Sequence, residues 1–284
     1  MSVEGVSKSA ISRIKHLSWN TVYRWLERAC IAAKRFNRYM LKGFTLREPQ
    51  ADEIRTFIRN KSQSVWIITL IEVWSRLWPS YIVGKRNYKN ICRLFQDTLV
   101  KSEMTAEPLI TTDGFKPYAG VIKRLFGCSC IYGQVIKTRR KDMVIRVDRK
   151  LVIGSQQRLY DALERSKDSS TLNTSFVERH NLTIRRGSAY LHRYTPSHAR
   201  RTEYLKAHLE LLQCHYNFFR VHSALKYGNE IWTPAMQARL TSRRLTFRQV
   251  FLAATAFSFF VFILCLKIRQ NAKIQLLVIC VNNN

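Results

Sequence analysis

Residues 51–84 read ADEIRTFIRNKSQSVWIITLIEVWSRLWPSYIVG and hold three β-branched and aromatic runs in succession. ADEIRTFI, VWIITLIEVWS and LWPSYIVG are each of strand length and rich in Val, Ile, Trp and Tyr, so they predict three consecutive β-strands. Beyond them the periodicity changes. NYKNICRLFQDTLVKS (87–102) places Ile91, Leu94, Phe95, Thr98 and Leu99 on one helical face. PLITTDG (108–114) reads as a fourth strand, FKPYAGVIKRLF (115–126) as a second helix and CIYGQVIKT (130–138) as a fifth strand. A three-strand meander followed by helix, strand, helix and strand is the order of a ribonuclease-H-like α/β fold, a mixed sheet with flanking helices.

Upstream, residues 7–29 predict two helices around a tight turn. Ser9, Ala10, Ile11 and Ile14 mark the first, and Val22, Trp25 and Leu26 the second. Ser18 is placed to cap the second helix, and His16 stands where a turn glycine is usual. This is a helix-turn-helix pattern, whose second helix enters the DNA major groove. Trp19, Asn20, Thr21, Tyr23 and Arg24 would form its outward face; an ordinary amphipathic helix pair is the other reading. Residues 137–172 are polar and charged and predict a basic insertion or clamp. Glu178 then opens a long helical region in which Leu205, Leu209, Leu212, Tyr216 and Phe219 recur at core spacing. Pro234 starts a last short helix, TPAMQARL.

The chain carries 48 basic against 19 acidic residues, a net charge of +29, and its pI is near 10.3. That excess implies a polyanionic partner, nucleic acid before an anionic membrane. The cations run through the whole chain instead of forming one tail. Seven cysteines, an odd number without a CxxC pair, read as reduced thiols in a cytoplasmic setting. Cys128 and Cys130 could bind a metal but suit small apolar fillers on a strand better.

Against this charge, three acids stand out: Asp52 in QADEIRTF, Asp113 in LITTDGFKPY and Glu178 in NTSFVERHN. Asp113 ends an apolar run and precedes Gly114, so a strand delivers its carboxylate at the tip. Between Glu178 and the next acid, Glu203, lie Arg179, Arg185, Arg186, Arg193, Arg200 and Arg201, with His180, His192 and His198. Metal-dependent phosphoryl transfer requires several carboxylates converging on ions roughly 4 Å apart. In a ribonuclease-H-like sheet the first and fourth strands are neighbours. Asp52 and Asp113 can therefore meet across 61 positions, while Glu178, 65 further on, approaches from a helix. Oxygen-only ligands select Mg²⁺ or Mn²⁺, with two ions expected. Glu72, in the second strand, is the rival to Asp52 for the first acid.

The motifs ADEIRTF, TTDGFKPY, FVERHNLTIR, HYNFFRVHSAL and TPAMQA, in this order over about residues 7–250, resemble the DDE transposases of bacterial insertion sequences, in particular the insertion-sequence-one type. The resemblance implies Asp52, Asp113 and Glu178 as catalytic and metal-binding triad. It implies DNA strand cleavage and strand transfer at terminal inverted repeats, by a homodimer on double-stranded DNA near the bacterial nucleoid. Arg179 and Asn181 would follow the catalytic glutamate on its helix. Trp19, Asn20, Thr21, Arg24, Arg179, Arg185, Arg186, Arg200 and Arg201 are the expected DNA contacts. Unlike many relatives, the chain shows no cysteine-paired zinc ribbon. A decayed copy that only binds DNA is the alternative.

These readings divide the chain into a helix-turn-helix segment (1–45), a catalytic domain (46–250) and an extension (251–284). The extension contains FLAATAFSFFVFILCL, an uncharged, largely apolar run of 16 residues followed by three cations and a polar end. That is short for a membrane span, and two accounts stay open: a tail anchor, or translation past the natural end of the domain.

Overall fold

The computed structural model describes residues 1–104, 106–141, 143–166 and 168–255. The apolar run from 256 onward lies outside the described residues. Six strands form one mixed sheet: β1 (Pro49–Phe57), β2 (Ser64–Glu72), β3 (Leu77–Gly84), β4 (Leu109–Asp113), β5 (Ile131–Arg140) and β6 (Met143–Ile153). Their spatial order is β3-β2-β1-β4-β5-β6. β1, β2 and β3 are antiparallel neighbours, β4 joins β1 and β5 in parallel, and β6 returns antiparallel to β5. The molecule is thus a mixed α/β fold with a mixed central sheet and flanking helices, compatible with the ribonuclease-H-like expectation. The charged stretch 137–172 continues this sheet: it completes β5, supplies β6 and then folds as α5 (Gln156–Arg165).

Side-chain alternation along β1 assigns its two faces. Ile54 packs with Ile67, Trp78, Ile184, Leu205 and Leu209, beneath α6 (Ser175–Arg186) and α7 (Thr202–Cys214). Ala51 belongs to the opposite core, built by α3 (Tyr88–Lys101) and α4 (Pro117–Phe126) through Leu94, Phe95, Tyr118, Val121 and Ile122. Pro117 opens α4 at a position where a missing N–H costs nothing. The expected core spacing of Leu205, Leu209, Leu212, Tyr216 and Phe219 corresponds to five buried side chains. However, the helical region is two helices joined by the loop 187–201, and α7 ends in a π-helical turn, His215–Phe219.

The N-terminal pair forms as α1 (Lys8–Lys15) and α2 (Trp19–Met40). His16 adopts φ 51°, and the Ser18 hydroxyl accepts from Thr21 N at 3.1 Å, capping α2. Two details differ from the sequence reading. α2 runs 22 residues, well past 29, because Ala29, Ala33, Phe36 and Met40 extend its apolar stripe into the main core. Trp25 lies on the outer face, 58% exposed. α2 packs against α7 and against α9 (Phe247–Thr255), while the short α8 (Pro234–Gln237) is capped by Thr233. No helix among the described residues is long and apolar enough to cross a membrane.

Candidate metal centre and nucleic-acid interface

Register brings the first two acids together. Gln50 faces Thr111 and Ala51 faces Thr112 across β1 and β4, so Asp52 stands beside Asp113, the last residue of β4. α6 closes over this point. Its start is held by Gln50, whose Oε1 accepts from Val177 N at 3.2 Å. Three residues beyond Glu178, Asn181 donates from Nδ2 to Asp52 Oδ2 at 2.9 Å and accepts from Thr69 Oγ1 at 2.9 Å. Asp113 Oδ1 accepts from Phe115 N at 3.0 Å, which fixes the carboxylate at the strand tip.

A residue that the sequence reading passed over joins them. Asp52, Glu53 and Asp113 each offer a carboxylate oxygen, and these oxygens lie within 4.8 Å of one another. Glu53 follows Asp52 and starts on the opposite sheet face, which is why alternation gave no reason to pair them. β4 stops at Asp113, so carboxylates from both faces can meet around its end. The only sequence signal was the doubled acid itself. Arg86, just beyond β3, donates from Nη2 to Glu53 Oε2 and to Asp113 Oδ2, both at 3.0 Å. Its guanidinium lies 3.7 Å from the Phe115 ring centroid and 5.2 Å from that of Trp66.

Glu178 is on the first turn of α6, outside that three-residue group. Its carboxylate pairs with Lys137 and accepts from Thr174 Oγ1 at 2.5 Å. It is still close enough that its charge, with that of Asp113, adds to the effect of burial in raising the Asp52 carboxyl to about 6. Burial likewise pushes Glu53 up to about 7 despite the opposing Arg86. Glu72 is elsewhere: it pairs with Pro49 across the sheet and is fully buried. Its oxygens accept from Glu48 N at 3.2 Å and from Ser75 N at 2.7 Å, so it fastens the β2–β3 turn.

The raised acids give a pH prediction. A carboxyl with a raised folded-state value favours the fold below its ordinary value of 3.8, and that contribution is lost as pH rises through about 6. For Asp52 this corresponds to roughly 3 kcal/mol at full strength. Metal-free Asp52→Asn should therefore melt several degrees higher than the wild type at pH 8, with little difference at pH 4. Thermal melts at the two pH values check this. Equal melting temperatures at pH 8 would contradict the cost assigned to the charged carboxylate.

The basic residues expected to meet DNA are mostly at the surface. Arg179, Arg186, Arg200 and Arg201 are exposed, and Arg185 is half-buried, near enough to Asp52 to feel its charge. His180 is not part of the cationic surface. It is buried edge-on to Trp78 and Tyr216, 4.9 and 4.7 Å between centroids, and burial holds it near 3. On α2, Asn20 and Arg24 are exposed and Thr21 is half-buried. Trp19 stacks on Tyr23 at 5.5 Å, and the Lys8 ammonium lies over Trp19, Tyr23 and Tyr204. These residues line a cleft of about 1700 Å³ together with Lys34, Arg38, Arg93 and Arg201. None of the clustered carboxylates lines that cleft. Cys128 is exposed and Cys130 buried, and neither belongs to a metal-ligating group among the described residues.

No family model matches the chain, and no curated protein matches it. Among solved structures, one similar chain is a piggyBac transposase, from a cryo-EM structure of its synaptic complex with hairpin DNA. The two are 10% identical with a TM-score of 0.34, over 76% of this chain and 53% of that one. The chain spans about half the length of that transposase.

Proposed function

We propose that this protein is a DDE transposase of the insertion-sequence type, cleaving and joining DNA strands at terminal inverted repeats. The observation that carries the reading is the placement of Asp52 against Asp113 on adjacent parallel strands, with α6 bringing Asn181 onto Asp52 and Glu178 alongside. Asp52, Asp113 and Glu178 are the proposed triad on a ribonuclease-H-like sheet. The donor set fits Mg²⁺ or Mn²⁺: it is all oxygen, and Glu53 Oε1 is a buried carboxylate oxygen without a hydrogen-bond partner among the described residues. Such ions would supply activation of the attacking oxygen and stabilisation of the leaving one.

The protein's own contribution is positioning. Gln50 and Asn181 fix α6 on β1, so Asp52 and Asp113 do not have to be gathered when the substrate arrives, while Glu178 has to leave Lys137 to join them. Residues 1–45 would supply a helix-turn-helix, with Trp19, Asn20, Thr21 and Arg24 toward the DNA; residues 46–250 would supply the chemistry. Arg179, Arg185, Arg186, Arg200 and Arg201 would hold phosphates beside it, in a dimer that pairs two element ends. The test is direct: purified protein with Mg²⁺ or Mn²⁺ should nick DNA carrying the element's own terminal repeats. Intact DNA under conditions where the protein binds it would leave only the DNA-binding alternative.

Phosphate contacts release counterions, so binding should weaken steeply with salt. Each of Arg186→Ala and Arg200→Ala should lower the slope of log K against log salt by about 1 and weaken all sequences alike. Binding isotherms at several salt concentrations measure this. An unchanged slope would remove that arginine from the interface.

A further inference from the structure

We infer that Arg86 is a built-in counter-cation that competes with a divalent metal ion for Glu53 and Asp113. The inference rests on the metal-site half of the reading above and not on its DNA specificity. One Arg86 nitrogen donates to both carboxylates at 3.0 Å, so the guanidinium occupies the space between them. The rings of Phe115 and Trp66, 3.7 and 5.2 Å from it, support it there. Glu53 is committed to the same place: its side chain is 1% exposed, one oxygen is on Arg86, and the other has no hydrogen-bond partner among the described residues. That oxygen is buried near the Tyr118 hydroxyl, and one carboxylate oxygen each of Asp52, Glu53 and Asp113 lie within 4.8 Å of one another.

The physical consequence follows from charge. Asp52, Glu53 and Asp113 carry three negative charges when ionised, and Arg86 offsets one. A divalent ion drawing on the same carboxylates meets a positive group within a few ångströms. The guanidinium cannot escape by losing its proton, since it stays charged at every accessible pH. It must move aside or weaken the ion's hold. Without an ion, the same contact keeps Glu53 and Asp113 from repelling each other. Arg86 therefore stabilises the ion-free centre at the expense of metal affinity.

Titration of the metal-free full chain with Mn²⁺, followed by electron paramagnetic resonance and without DNA, tests this. Arg86→Gln should bind Mn²⁺ at least tenfold more tightly than the wild type, and Arg86→Lys, which keeps the charge, should stay near it. Asp113→Asn in the Arg86→Gln background should remove the gain, placing the ion at this centre. Equal or weaker binding by Arg86→Gln would overturn the inference and make Arg86 a holder of the carboxylates for the ion. A gain that survives Asp113→Asn would overturn it too. Should Arg86→Gln not fold, the wild type serves: saturating Mg²⁺ should shift the Arg86 side-chain ¹⁵N resonance, and a resonance that does not move rules out competition. Nicking of repeat-ended DNA is scored separately. Nicking by a wild type whose affinity is indifferent to Arg86 retains the transposase reading and rejects this inference; tighter binding without nicking does the reverse.

Discussion

Asp113→Asn is expected to reduce metal-dependent DNA nicking by on the order of a thousandfold or more while leaving DNA binding within about twofold. The asymmetry comes from where the residue sits. Asp113 ends β4, its Oδ1 held by Phe115 N and its Oδ2 by Arg86, beside Asp52 and Glu53. Asn has nearly the same shape and can still accept from Phe115 N, so the strand tip should keep its form. What it lacks is the negative charge that a divalent ion requires. DNA contacts are assigned to arginines and to α2, none of which depends on that charge. Single-turnover nicking with saturating Mg²⁺, beside a binding titration, separates the two effects. Retained nicking would show that the metal centre is not where these carboxylates meet. Asp52→Asn should behave alike, with its Asn181 contact preserved.

Much of the sheet was legible because its strands and helices advertise different periods. β1 through β5 and α3 and α4 fall within a few residues of the runs read from the sequence, since the strands are short continuous β-branched and aromatic runs while the helices repeat their apolar residues at 3.6. The stretch after β5 was less legible. β6 is an edge strand with mostly exposed side chains, so it carries no apolar alternation and reads as a charged insertion. The length of α2 was missed because small Ala29, Ala32 and Ala33 leave a weak hydrophobic signal, although all three are buried. At the centre, Asp52 and Asp113 could be paired from strand order. Glu53 could not, because alternation sends neighbours to opposite faces, and only the end of β4 lets them converge. Arg86 had no signal at all: its role depends on the approach of β3's end to β4's tip.

Phe36→Ala should destabilise the whole chain by about 3–5 kcal/mol, lowering the melting temperature by roughly 10 °C in a single transition. Phe36 is fully buried on α2 and meets Phe218 of the π-helical turn edge-on at 4.9 Å. On the same helix Asn37 donates from Nδ2 to Glu210 O at 2.9 Å and to Gln213 Oε1 at 3.2 Å, both on α7. Gln213 in turn donates to the carbonyls of Trp78 and Pro79 in β3. The proposed DNA-reading helix is therefore fastened through α7 to the edge of the central sheet. Its first turns can face a ligand while its last turns belong to the core. Trp25→Ala, on the exposed side of the same helix, should change stability by less than about 0.5 kcal/mol. Calorimetry on both variants decides the matter. Two transitions for Phe36→Ala, one at the wild-type temperature, would mean that residues 1–45 fold apart from the sheet. A single lowered transition means that the N-terminal helices and the carboxylate centre share one cooperative unit, and that trimming residues 1–30 would cost the fold.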